Sequence, residues 1–180
     1  GNFKLDGGAM FGVVPKSLWT KTNPADADNM VEMSSRCMLV ENSDKLILVD
    51  TGMGDKQSEK FFKYYKRWGS DNLVKSINYA GFNIDDVTDV LLTHLHFDHC
   101  GGAVAWDSSK KAYDVIFKNA NYWSNEKHWD WATNPNPREK ASFLDENLFP
   151  IKESGQLRFV SNMSKGFNYF EELGLEILCV

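Results

Sequence analysis

The run Thr93-His94-Leu95-His96-Phe97-Asp98-His99-Cys100-Gly101-Gly102 carries the densest chemistry in the chain. Three of the four histidines fall within six residues of it, with an aspartate between them. Imidazole and carboxylate at this density suit Zn, Mn or Fe(II), with Zn the default for nitrogen and oxygen ligands. His94 and His96 are two apart, so in extended backbone they project to one side. Asp98 and His99 follow once the chain has begun to turn, and face the same spot from another direction. Gly101 and Gly102 permit a tight turn and close approach of backbone to the site. The alternative is a solvated polar loop that happens to be rich in histidine. Four ligand-type residues at the end of an apolar run weigh against it, and His94, His96, Asp98 and His99 are taken as the candidate metal ligands.

Such a cluster must be held by regular elements. Asp86–Leu92 reads as a buried strand leading into the motif. Upstream, Cys37–Val40 and Lys45–Val49 flank the polar turn Asn42-Ser43-Asp44, which predicts a hairpin of strands buried on both faces. Asp50 ends its second arm; alone, an aspartate before Thr-Gly would be a turn or cap residue. From Ser58 to Trp68, the aromatic residues Phe61, Tyr64, Tyr65 and Trp68 recur at helical spacing and predict an apolar core stripe. Gly69 stops that helix, and Asp71 caps the next, which runs through Leu73, Val74 and Ile77 to Gly81. Strand–strand–helix–helix–strand predicts helices on one face of a mixed sheet.

Beyond Gly102, Tyr113–Phe117 alternates like a strand. Ser124–Trp131 predicts a short helix carrying His128, and Arg138–Leu148 another helix. Gln156–Val160 and Gly174–Val180 predict two late strands. His128 stands as a ligand, a substrate contact or a residue packed beside aromatics, the last being the commoner fate. The nearby tryptophans suit the wall of a small-molecule pocket. Cys100 beside the ligands reads as a small buried thiol, not a nucleophile.

Composition narrows the classes. With 180 residues and a 42% hydrophobic content, the chain predicts a single domain with a sizeable core. Net charge is −5 without a basic run, which argues against a nucleic-acid partner. No apolar stretch approaches the ~20 residues of a membrane span. Three cysteines without CxxC pairing suit reduced thiols and a cytoplasmic location, although a trimmed leader ahead of Gly1 would leave the same chain. Residues 1–36 read as an irregular arm: a flap, a homodimer contact or a sheet edge.

The His94-x-His96-x-Asp98-His99 motif, preceded by Lys45-Leu46-Ile47-Leu48-Val49-Asp50-Thr51-Gly52, resembles the signatures of the metallo-β-lactamase-fold hydrolases. Asp6-Gly7-Gly8-Ala9-Met10-Phe11-Gly12 and the motif spacing look most like the branch of lactonases and organophosphate hydrolases. The resemblance implies an α+β fold, the αββα sandwich, of which this chain supplies mainly the first αβ half. It implies two Zn2+ per complete site, with Mn2+ or Fe2+ as substitutes, and metal-activated water acting on a lactone or phosphotriester. Asp98 would orient that water, and Asp50 would hold the metal-binding loop by a hydrogen bond. Glyoxalase II-like thioester hydrolases and iron-dependent sulfur dioxygenases share the motif and stand as alternatives. A complete site in the family needs two further histidines and a bridging aspartate from a later region. The chain is therefore read as the N-terminal part of a longer protein, whose missing half would complete the site and cover the sheet. Alone it would be a catalytically incompetent metal-binding fragment.

Overall fold

The structure, a computed structural model, describes residues 1–160 and 164–179. It divides into two compact units, residues 1–36 with 57–71, and residues 37–56 with 72–180.

In the first unit, β1 (Asn2–Asp6) pairs antiparallel with β2 (Met30–Ser34), from Asn2 opposite Ser34 to Asp6 opposite Met30. Asp6 closes β1 and caps α1 (Gly7–Phe11), its Oδ1 accepting from the Ala9 amide at 2.9 Å. After α2 (Lys16–Trp19), the Trp19 ring stacks on Phe11 with centroids 4.7 Å apart. The expected helix over Ser58–Trp68 is shortened to α3 (Glu59–Tyr64), and none of its residues is buried. Its end has a local cause. Lys66 takes a positive φ of 40°, Tyr65 O accepts from the Lys4 amide, and the Trp68 amide bonds back to Asn2 O. Backbone pairing with β1 thus wins over helix continuation. Tyr64 and Trp68 stand exposed, and the predicted core stripe does not exist.

The second unit is built on a five-stranded sheet in the order β3-β4-β5-β8-β9. The edge strand β3 (Met38–Asn42) pairs antiparallel with β4 (Lys45–Val49) across the predicted turn. The helix α4 (Leu73–Tyr79) then crosses to β5 (Asp89–Leu91); its cap is Asn72, not Asp71, with Oδ1 accepting from the Lys75 amide. β5 is shorter than the expected Asp86–Leu92: Ile84–Asp86 form a 3-10 turn, and strand pairing starts only at Asp89. It runs parallel to β4. After the His94–His99 segment and its single helical turn α5 (Phe97–Cys100) comes a small hairpin of β6 (Val104–Trp106) and β7 (Tyr113–Val115). The chain re-enters the sheet as β8 (Asn121–Asn125), parallel to β5, and leaves through α6 (Glu126–Thr133). The helix expected over Arg138–Leu148 falls later: Lys140–Ser142 form a 3-10 turn, and α7 spans Asp145–Glu153. β9 (Leu157–Val160) completes the sheet.

Strand alternation sorts the side chains to two faces. Leu46, Leu48, Val90 and Tyr122 point to one, where Ile77, Trp129, Leu148 and Ile151 from the helices close over them in one cluster. Ile47, Leu91 and Trp123 point to the other, which is covered by a hairpin of β10 (Gly166–Phe170) and β11 (Leu175–Cys179). Phe170 meets Trp123 edge to face at 4.9 Å, and Leu173 is fully buried. The sheet's second face is therefore not left bare as expected, because β10, unforeseen in the sequence, folds back on it. The final expected strand extended to Val180, which lies outside the described residues.

Candidate metal centre

Residues from three neighbouring strands meet at the carboxyl ends of the parallel sheet. Asp50 follows β4, the His94–His99 segment follows β5, and His128 follows β8 in the first turn of α6. In open sheets with parallel strands this edge is where ligands bind, since the chain leaves each strand there in a loop free to vary.

The motif turns as its spacing predicts. His96 precedes α5, and the amides of His99 and Cys100 both bond to His96 O at 3.0 Å. That single turn brings the rings together: His94 lies 4.6 Å from His96 and 3.8 Å from His99, centroid to centroid. Asp98 Oδ2 is 3.8 Å from His99 Nε2. All four sequence-predicted ligand residues thus share one patch. Among the described residues, no three His, Cys, Asp or Glu side chains are yet arranged to hold a metal ion.

Asp50 organises the patch from behind. Its backbone takes a positive φ of 57°, which bends the chain sharply out of β4. One carboxylate oxygen accepts from the Thr93 amide at 2.9 Å and from the Thr93 hydroxyl at 3.0 Å. The other faces His99 Nδ1 at 2.8 Å. Burial raises the carboxyl pKa, but the bonds from His99 and Thr93 outweigh it and hold Asp50 below the ordinary carboxylate range. Burial likewise depresses His99, but the Asp50 bond and the charges of Asp98 and Asp50 lift it above the ordinary imidazole value. At His94 the balance is reversed: burial, with His99 and His96 beside it, outweighs the charge of Asp50 and pushes its pKa down to about 4. His96 is lowered chiefly by burial.

The loop after β4 is sewn to the motif by backbone. The Thr51 amide and hydroxyl both bond to His99 O, at 2.7 and 2.9 Å, and the Gly102 amide bonds to Gly52 O at 2.8 Å. A Cβ on Gly101 or Gly102 would collide with the carbonyls of Met53 and Thr51, which is why glycine stands at both. Lys56 is buried with its ammonium on Gly101 O at 2.5 Å, and burial lowers its pKa to about 8. No sequence signal marked this lysine. Cys100 is fully buried, its thiol pushed up to about 12 by burial, and no nucleophile at neutral pH.

His128 is not placed as a ligand. Its Nε2 accepts a hydrogen bond from the Leu95 amide at 3.0 Å, and its ring lies 6.5 Å from His94. The aromatic surroundings are Phe143, edge-on to His96 at 4.8 Å and to His128 at 5.8 Å, and the half-exposed Trp131 at 6.2 Å from His128.

A mixed sheet layered with helices, and a His/Asp cluster at its strand ends, define the class of protein: a layered α/β fold with its site at the sheet's carboxyl edge. The family is narrower. The sequence profile of the metallo-beta-lactamase superfamily matches residues 31–160, and the chain belongs to that superfamily. An N-acyl homoserine lactonase of Bacillus cereus is 29% identical over 104 residues, 52% of this chain and 40% of the relative. Among solved structures, a probable metal-dependent hydrolase from Staphylococcus aureus superposes with a TM-score of 0.79 at 31% identity. It covers 93% of this chain and 57% of its own. The dizinc quorum-quenching lactonase AidC gives a TM-score of 0.55 at 28% identity, over 79% of this chain and 49% of its own. The matches thus span 40% to 57% of these relatives' lengths. The expected αββα architecture holds, with helices on one face of the first sheet and the β10–β11 hairpin on the other.

Proposed function

We propose that the protein is a metal-dependent hydrolase of a small ester-like substrate, a lactone or a phosphotriester, with zinc at a two-metal centre. The observation that carries the reading is the Asp50–His99 pair. With Nδ1 held by a carboxylate, His99 keeps Nε2 for a metal, the arrangement by which proteins fix the tautomer and orientation of metal-bound imidazoles. His94, neutral down to about pH 4, keeps a lone pair available at physiological pH. The donor chemistry therefore fits: His94, His96, Asp98 and His99 would hold the metal. When bound, zinc supplies a lowered pKa for water and polarisation of the substrate oxygen.

The chain's own residues supply the rest. Asp98, one carboxylate among imidazoles, accepts the proton-bearing side of the attacking water and orients it. Phe143 and Trp131 form an apolar wall beside His96 and His128, suited to the non-reacting part of a small substrate. The lactonase relatives and the dizinc lactonase neighbour support the ester-like choice. The test is turnover of an N-acyl homoserine lactone and of an aryl phosphotriester, before and after chelation. Loss on chelation and recovery with zinc is expected for at least one substrate. Hydrolysis indifferent to the chelator would refute the proposal.

A further inference from the structure

We infer that His128 is a positioning residue: it fixes the Leu95 peptide between His94 and His96 and so presets the spacing of those two imidazoles. The inference rests on reading His94 and His96 as metal ligands.

Leu95 is held on every side. Its side chain is fully buried in the cluster beneath the helices. Its carbonyl accepts from the buried Cys100 thiol at 3.3 Å. Its amide donates to His128 Nε2 at 3.0 Å. The first two holds come from within the motif or the core under it, whereas the third comes from a different strand-end, 33 residues on. That makes His128 the link that ties the motif to β8 and α6. The link is itself braced, because Asn125 caps α6 and its Oδ1 accepts from the Lys127 and His128 amides at 3.0 and 3.3 Å. Phe143 and Trp131 stand edge-on to the imidazole at 5.8 and 6.2 Å, restricting its rotation.

The hydrogen bond also decides what His128 is not. Nε2 gives its lone pair to the Leu95 amide, so the proton of the neutral ring sits on Nδ1. Neither nitrogen then has a lone pair left for a metal. A histidine 6.5 Å from His94 thus belongs to the frame of the centre, not to its ligands. Preorganisation of this sort acts by removing alternative loop conformations that would otherwise have to be frozen out on metal binding.

The experiment compares zinc affinity, by chelator competition, in the natural protein and in His128→Leu, His128→Gln and His94→Ala. Leucine fills space but accepts nothing, and a loss of about 10–100-fold is expected. Glutamine places Oε1 near the position of Nε2 and should restore most of the affinity. A leucine variant that binds zinc as the natural protein does, or a glutamine variant as weak as leucine, overturns the inference. Unchanged affinity in His94→Ala would instead overturn the ligand reading beneath it. Should His128→Leu fail to fold, the natural protein still decides. Isotope-labelled protein should show a scalar coupling across the hydrogen bond between the Leu95 amide nitrogen and His128 Nε2. An uncoupled, fast-exchanging Leu95 amide rules the positioning role out.

Discussion

Asp50 joins three groups that the sequence keeps 43 to 49 residues away: the Thr93 amide, the Thr93 hydroxyl and His99 Nδ1. An alanine there would release Thr93 and His99 together, so Asp50→Ala is expected to weaken zinc binding about 10–100-fold, measured by chelator competition. Unchanged affinity would reduce Asp50 to a turn residue. The four ligand candidates were legible because they are consecutive enough for spacing alone to bring them together. His128 and Lys56 were not, because each acts by a hydrogen bond to backbone, and backbone partners leave no mark on residue type. Lys56 offers a prediction of its own. Its folded pKa of about 8 lies below the ordinary lysine value, so the unfolded chain binds the proton more tightly. The cost is fully present below pH 8 and disappears as pH rises through the unfolded value near ~10.4. Urea unfolding should therefore show the natural protein gaining on the order of 2 kcal/mol relative to Lys56→Met between pH 7 and 10. Parallel pH profiles for the two proteins would contradict it.

At the scale of elements, the strand-ends were readable and the helices were less so. β4 and the turn before it follow directly from an apolar run and Asn-Ser-Asp. The Phe61–Trp68 stripe misled because helical spacing says nothing about competition from a strand: residues 65–68 pair with β1 backbone instead. Likewise, Phe143 and Leu144 are extended, which delays the helix expected from Arg138 until Asp145. β10 went unread because its alternation is matched by exposed Phe167 and Tyr169, which blur the polar face. The Gly101-Gly102 turn is the element on which the site depends most. Gly102→Ala forces a methyl group onto the Thr51 carbonyl, and that backbone cannot yield without shifting its two bonds to His99 O. A loss of about 1–3 kcal/mol in denaturant unfolding is expected, together with weaker zinc binding. An alanine variant as stable as the natural protein would show the turn to be slack.

For the molecule as a whole, the β10–β11 hairpin keeps the second face of the sheet dry. Removing the Phe170 ring opens a cavity against Trp123 and should cost about 3–5 kcal/mol in thermal or denaturant unfolding; a cost below about 1 kcal/mol would mean that the hairpin is only loosely seated. The most direct test of the central claim is the zinc content of the protein beside its His96→Ala variant, by elemental mass spectrometry after metal-free dialysis. Two equivalents of zinc are expected in the natural protein, and at least one is lost in the variant together with hydrolysis. Equal metal content and equal rate in the two proteins would contradict it.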